Sequence, residues 1–354
     1  MAELALFRRY PATAERVPRV PLATLPTPVE RLPEDVAPGG SWVKRDDLTG
    51  QPYGGNKLRK LELLLGEARR RGARRLVTVG AMGSHHALAT TVHGRAMGFE
   101  VSLVLFPQKP TPQVVRTLLM DVGLGAELRF TRRMETVPLA LLSARWAHRG
   151  QGVFVIPAGG SDPLGTIGYV SAGLELAEQV EAGLCPPPDV VHVAGGTLGT
   201  AAGMALGLAL GGLDTRVDAY RITSALVTNR RVLGGLIAGA SAILAEAGVP
   251  LPEPQEIERR VVLKDEQLGA GYGRETEAGR AASELLAGAG LPLDPTYTAK
   301  AAAGFLAALR EEPDATHLYW HTLSAVEPGE AAAGLRPRDL PEPFREWVEG
   351  GGAG

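Results

Sequence analysis

The sequence predicts an α/β fold: two open, twisted parallel sheets with helices on both faces. Two observations carry that prediction. Short β-rich apolar runs alternate with longer amphipathic stretches along most of the chain, and such alternation is what a parallel sheet with crossover helices requires. Three glycine-rich loops, at residues 80–83, 159–160 and 195–199, fall where a strand gives way to a helix. In open α/β sheets those strand ends are where ligands gather.

Taken in order, the runs at 76–79, 101–106, 127–130 and 153–156 are too short and too β-rich for helices. Helix-like stretches lie between them at 57–71, 84–97, 112–122 and 135–148. Further strands are expected at 190–193, 217–222, 260–263 and 317–320, with helices at 164–180, 197–210, 226–247 and 274–287. A break near residue 167 separates the strands into two sheets.

Composition narrows the function classes. The 354 residues are 45% hydrophobic and 21% charged, an ordinary globular balance with enough chain for a real core. A formal charge of -2 gives no reason to expect nucleic acid or an anionic membrane as partner. The densest basic runs, Arg69, Arg70, Arg71 and Arg74, Arg75, fall at a helix end, where cations suit the dipole. The one cysteine, Cys185, excludes an intramolecular disulfide and fits a reducing compartment. Residues 1–20 are too polar and arginine-rich for a secretory signal, and the longest apolar stretch, 201–213, is short of a membrane span. A cytoplasmic protein with no membrane partner and no metal site is the expectation.

Around Lys57 the order is Tyr53, Gly54, Gly55, Asn56, Lys57, then an amphipathic helix. A lysine at a helix N-terminus meets the positive end of the dipole, which disfavours its charged form. An exposed helix lysine accounts for the placement, and so does an amine that must be neutral to attack an aldehyde. Ser84 follows a glycine turn at the next strand-to-helix junction. It is a good N-cap, and the amides behind it also suit a carboxylate. Gly195, Gly196, Thr197, Leu198, Gly199 and Thr200 form a third such turn. Backbone amides there can approach a phosphate closely, but neither a dinucleotide fingerprint nor a nucleotide P-loop is present.

These motifs, in this order and over about residues 20–325, resemble the family of 1-aminocyclopropane-1-carboxylate deaminase and D-cysteine desulfhydrase. The resemblance implies pyridoxal 5'-phosphate as cofactor, fold type II of that cofactor class (like tryptophan synthase β), a small amino-acid substrate and a homodimer. It implies a large cofactor domain over 1–56 and 168–354 and a small substrate-side domain over 57–167. By resemblance Lys57 carries the cofactor, the turn from Gly195 to Thr200 grips its phosphate, and Thr322 serves the pyridine nitrogen. Ser84 stands close to the reacting carbon, with His86 beside the substrate. Tyr272 and Tyr297 line the substrate pocket, Tyr297 taking part in proton transfer.

Against the family pattern, the arginine usual soon after His86 is absent, Ala87 and Leu88 following instead, and three further positions bear on the reaction. His85 replaces an asparagine that faces the cofactor ring. Thr298 follows Tyr297 where the cyclopropane-opening branch has glutamate, and Leu323 and Ser324 replace two glycines after Thr322. The two threonines favour desulfhydrase-like β-elimination, giving a keto acid and ammonia, over cyclopropane deamination. A cofactor-binding or regulatory relative without turnover is the non-enzymatic alternative.

Overall fold

Residues 3–37 and 40–352 are described by a computed structural model. The strands are β1 (Val29–Arg31), β2 (Trp42–Arg45), β3 (Arg75–Ala81), β4 (Glu100–Phe106), β5 (Glu127–Phe130), β6 (Val153–Ile156), β7 (Val190–Gly195), β8 (Arg216–Arg221), β9 (Val261–Lys264) and β10 (His317–His321). The helices are α1 (Ala5–Arg9), α2 (Thr13–Arg16), α3 (Asn56–Arg70), α4 (His85–Ala96), α5 (Pro112–Gly123), α6 (Val137–Ala147), α7 (Pro163–Glu181), α8 (Gly199–Leu210), α9 (Arg230–Glu246), α10 (Pro254–Arg259), α11 (Glu277–Gly288), α12 (Thr298–Glu311) and α13 (Glu342–Glu349).

Every expected strand forms, in two parallel-rich sheets flanked by helices. One sheet has the order β1-β2-β10-β7-β8-β9 and the other β5-β4-β3-β6. The second is wholly parallel. The first carries an edge the sequence reading lacked, because β1 pairs antiparallel with β2. β2 runs parallel beside β10, with Arg45 opposite His321. Helix starts follow their caps. The helix expected from 226 begins at Arg230, where the Asn229 side chain accepts from Val232 N–H at 3.0 Å. The one expected from 274 begins at Glu277, after the capping Thr276.

The chain divides into two compact units: Met1–Gly50, Gly54–Leu63 and Ser161–Ala325, and Gln51–Tyr53, Leu64–Gly160 and Val326–Gly354. The expected division differs from this at residues 51–53, 57–63, 161–167 and 326–354, and physical causes are visible for the second and the last. The first half of α3 belongs with the larger unit, where Glu62 accepts from the Leu22 and Ala23 amides at 2.7 and 2.8 Å. The C-terminal segment belongs with the smaller one: Phe344 packs edge-on against Phe130, and Trp347 Nε1 donates to the Gln108 carbonyl at 2.9 Å.

In the larger unit α7 and α8 form the main core, with Ile167, Val170, Leu174, Met204 and Leu208 fully buried. They approach closely because a Cβ on Gly203 would lie 2.2 Å from the Thr166 carbonyl oxygen. Only glycine permits that spacing.

Candidate active site

In the larger unit, the segments leaving β2 and β10 meet. Asn56 N–H donates to the Thr322 carbonyl at 3.1 Å, and Gly54 N–H to the Ser324 hydroxyl at 2.8 Å. Gly55 has φ +81°, and a Cβ there would lie 2.8 Å from the Thr322 oxygen. The paired glycines therefore let the chain turn into α3 against Thr322, and Ser324, a departure in sequence, supplies an acceptor for the Gly54 amide.

Lys57 is the second residue of α3. Burial pushes its amine down to about 8, against the charge of Asp294. Its Nζ donates to Asn56 Oδ1 at 2.8 Å and lies 5.9 Å from the centroid of the Tyr297 ring. Asn56 Nδ2 in turn donates to Thr200 Oγ1 at 3.3 Å, which ties the lysine segment to the turn between β7 and α8.

In that turn Leu198 adopts φ 63° and ψ -8°, a left-handed conformation that costs a non-glycine residue roughly 1–2 kcal/mol. Such strain persists where surroundings enforce it, commonly at functional sites. A Cβ on Gly199 would come 2.6 Å from Ser161 Oγ and 3.0 Å from Lys60 Nζ. Lys60 Nζ donates to Ser161 Oγ at 3.0 Å, which lies 2.6 Å from Thr197 Oγ1. Burial, and then the charge of Lys57, hold the Lys60 amine well below the ordinary lysine range.

The sequence reading did not single out Lys60. The available signal was its spacing three residues from Lys57, which puts both on one helix face. The buried Lys60 amine beside the N-terminus of α8 favours a small anion, because helix N-termini present amides without intrahelical partners and a counter-charge offsets desolvation. The residues therefore fit both ends of pyridoxal phosphate: a lysine of lowered basicity for the aldehyde, and a donor-rich cradle for the phosphate.

Tyr272 and Tyr297 belong to the same unit. Their hydroxyls are 2.7 Å apart and their rings meet edge-on. Burial raises the Tyr272 hydroxyl to about 12 and the Tyr297 hydroxyl well above its ordinary value. Asp294 sets this corner. Its Oδ1 accepts from the Thr296 and Tyr297 amides at 2.9 and 2.7 Å, and its Oδ2 from the Thr298 hydroxyl at 2.7 Å. Thr298 is thereby engaged in holding the loop.

In the smaller unit, Ser84 caps α4, its hydroxyl accepting from Ala87 N–H at 3.2 Å. His85 Nδ1 lies 2.7 Å from the Tyr53 hydroxyl. His86, expected beside the substrate, is buried against the sheet. Its Nε2 donates at 2.9 Å to Thr78 Oγ1, which donates onward to the Ile156 carbonyl at 2.9 Å.

Comparison with known proteins agrees with this chemistry. The family profile described as "Pyridoxal-phosphate dependent enzyme" matches residues 20–322. Nocardicin C-9' epimerase of Nocardia uniformis subsp. tsuyamanensis is 39% identical, over 92% of this chain and 98% of that protein. D-cysteine desulfhydrase of Salmonella schwarzengrund (strain CVM19633) is 35% identical, over 87% of this chain and 94% of its own. The crystal structure of an ACC deaminase homologue superposes with TM-score 0.76 at 32% identity, covering 91% of this chain and 95% of the other. With that match spanning most of the chain, this protein belongs to the pyridoxal-phosphate dependent enzymes of fold type II, in the family of 1-aminocyclopropane-1-carboxylate deaminase and D-cysteine desulfhydrase.

Proposed function

We propose that the protein is a deaminating lyase that converts a small amino acid with a good β-leaving group, D-cysteine first among them, to a keto acid and ammonia. The observation that carries this reading is the Lys57 amine, lowered to about 8 and 5.9 Å from the centroid of the Tyr297 ring, whose hydroxyl meets that of Tyr272. Pyridoxal phosphate, when bound, supplies an aldehyde for the amino group and a ring that accepts an electron pair.

The chain's residues divide the remaining work. At pH 7 on the order of a tenth of Lys57 is neutral, available as nucleophile and then as base at the α-carbon. Lys60, Thr197, Thr200 and the amides of the turn from Gly195 through Leu198 to Gly199 hold the phosphate. Ser84 and the first amides of α4 receive the substrate carboxylate, while His86, tied to Thr78, braces that turn. His85 is assigned to the ring face and Thr322 to the ring nitrogen. A hydroxyl there leaves that nitrogen unprotonated, which suits loss of a good β-substituent better than cyclopropane opening. The absence of a carboxylate at Thr298 supports the same preference. Tyr297, whose hydroxyl keeps its proton far above neutral pH, is the proton donor.

Epimerisation at the α-carbon is the second reading, favoured by the 39% identity to Nocardicin C-9' epimerase across 98% of that protein. It needs the same proton removal, followed by return of a proton to the opposite face. Incubating the holoenzyme with D- and L-cysteine in deuterated water separates the two. Keto acid and sulfide from D-cysteine support the lyase. Deuterium at an inverted α-carbon without keto acid supports the epimerase. Neither outcome across a panel of D- and L-amino acids and the cyclopropane substrate overturns both.

A further inference from the structure

The connection from β9 to α11, residues 265–276, has no regular secondary structure and carries Tyr272. Gly269, Gly271 and Gly273 within it have φ of 57°, 106° and 69°, so its backbone has little intrinsic stiffness. Asp265, Gly269, Ala270 and Arg274 are exposed. The segment is nevertheless fastened from within. Lys300, on α12 and 0% exposed, donates to the Leu268 carbonyl at 2.8 Å and the Gly271 carbonyl at 2.9 Å. Both acceptors lie just before Tyr272. Burying an ammonium is unfavourable unless its donors are satisfied, and charge-assisted bonds to two carbonyls are the compensation here. The N-terminal end of the same helix carries Tyr297, clamped by Asp294. One helix thus anchors both tyrosines, Tyr297 directly and Tyr272 through the Lys300 ammonium.

We propose that Lys300 is a positioning residue for the substrate wall: it holds the Leu268 and Gly271 carbonyls so that Tyr272 meets Tyr297, and thereby sets affinity for the substrate rather than the rate of proton transfer. The inference rests on the reading above that Tyr272 faces the substrate.

The test uses full-length holoenzyme carrying Lys300→Met, which removes the donor, and Lys300→Gln, which keeps a donor able to reach one carbonyl. Trypsin cleavage after Arg274 reports the loop without reference to turnover. It accelerates about tenfold in Lys300→Met as the local opening free energy falls, and by an intermediate factor in Lys300→Gln. KM for D-cysteine rises about fivefold in Lys300→Met while kcat changes less than about twofold. Tyr272→Phe reproduces the KM rise without faster cleavage. Unchanged cleavage after Arg274, or faster cleavage with an unchanged KM, overturns the proposal. Should Lys300→Met fail to fold, Lys300→Gln decides by the same readouts. Should the wild type turn over no D-cysteine, the lyase reading falls separately. Cleavage at Arg274 then decides for Lys300; an unchanged rate in Lys300→Met overturns it.

Discussion

Arg59 donates to both oxygens of the Asp46 carboxylate, at 3.0 and 2.7 Å, two residues beyond Lys57 in α3. The same guanidinium reaches both oxygens of Glu175 on α7 at 3.1 and 2.9 Å, and Lys44 of β2 donates to Glu175 at 2.6 Å. Tyr169 closes the group with a hydrogen bond to Asp46 at 2.6 Å. All five side chains are buried, and the two cations balance the two carboxylates. Lys57 therefore starts a helix whose first turn is bolted to the sheet and to α7 by directional bonds. Apolar packing would give less angular precision.

Replacing Arg59 with Met leaves Asp46 and Glu175 buried with only Lys44 to neutralise them. Removing one partner of a buried ion pair costs about 3–5 kcal/mol, because the surviving charge is uncompensated. Denaturant unfolding of Arg59→Met should show a loss of that order. The acid side follows the same logic. Burial alone would raise the Glu175 carboxyl, but Arg59 and Lys44 bring it down to about 2. A depressed carboxylate contributes stability that is present above its ordinary titration range and is lost as pH falls toward 2. Wild type should lose stability through that window, and Glu175→Gln should lose much less of it.

Lys57 gives the complementary test. A lysine held at about 8 reacts with an aldehyde at a rate proportional to its neutral fraction. Cofactor uptake by the apoprotein, followed as absorbance of the covalent adduct, should rise with pH and level off just above 8. A profile still climbing toward 10 would refute the buried amine. Lys57→Ala should abolish the adduct, whereas Lys60→Ala should weaken phosphate retention by about tenfold or more while leaving the adduct able to form.

The sequence made the parallel strands and the glycine turns readable, because both write themselves locally. Apolar runs at 101–106 and 190–193 have one strand-like interpretation, and consecutive glycines before a helix mark a turn. β2 was invisible for the opposite reason. It is four residues long and half of it is Lys44 and Arg45, so no apolar run marks it, and the carboxylates of Glu175 and Glu30 that pair with these cations lie elsewhere in the chain. Helix α12 escaped notice as well. Most of its residues are small and buried (Ala299, Ala301, Ala302, Ala303), so its sequence does not show the wide polar face that announces an amphipathic helix. In the larger unit Lys57 Nζ lies 5.9 Å from the Tyr297 ring centroid, and its neighbour Asn56 reaches the Thr200 hydroxyl. Lys60 and Ser161 are not legible in the sequence, because nothing local says that residue 161 lies beside Gly199.

Asp121 offers a test away from the site. It is fully buried on α5 of the smaller unit. Burial, outweighing the neighbouring Thr91 hydroxyl, pushes its carboxyl up to about 8. A carboxyl protonated in the folded state and ionised in the unfolded one makes the fold lose stability as pH rises between the two values. The slope approaches roughly 1.4 kcal/mol per pH unit. Asp121→Asn removes that slope. Unfolding midpoints of variant and wild type should nearly coincide at pH 4 and separate at pH 9, with the variant the more stable.

Ser84 has a structural role that can be separated from its proposed chemical one. Its hydroxyl caps α4 by accepting from Ala87 N–H. A Cβ on Gly80 would lie 2.5 Å from Ser84 Oγ, so the preceding glycine makes room for the capping serine. Ser84→Ala should lose about 1 kcal/mol of stability from the missing cap, together with most of the activity. That result alone would not distinguish the two roles. Ser84→Asp does, because aspartate caps a helix as well as serine but places a negative charge where the substrate carboxylate is proposed to bind. Its thermal midpoint should return to within about 1 °C of wild type, while KM for D-cysteine rises further than in Ser84→Ala. If Ser84→Asp instead regains both stability and activity, Ser84 is a helix cap and nothing more, and the carboxylate is bound elsewhere.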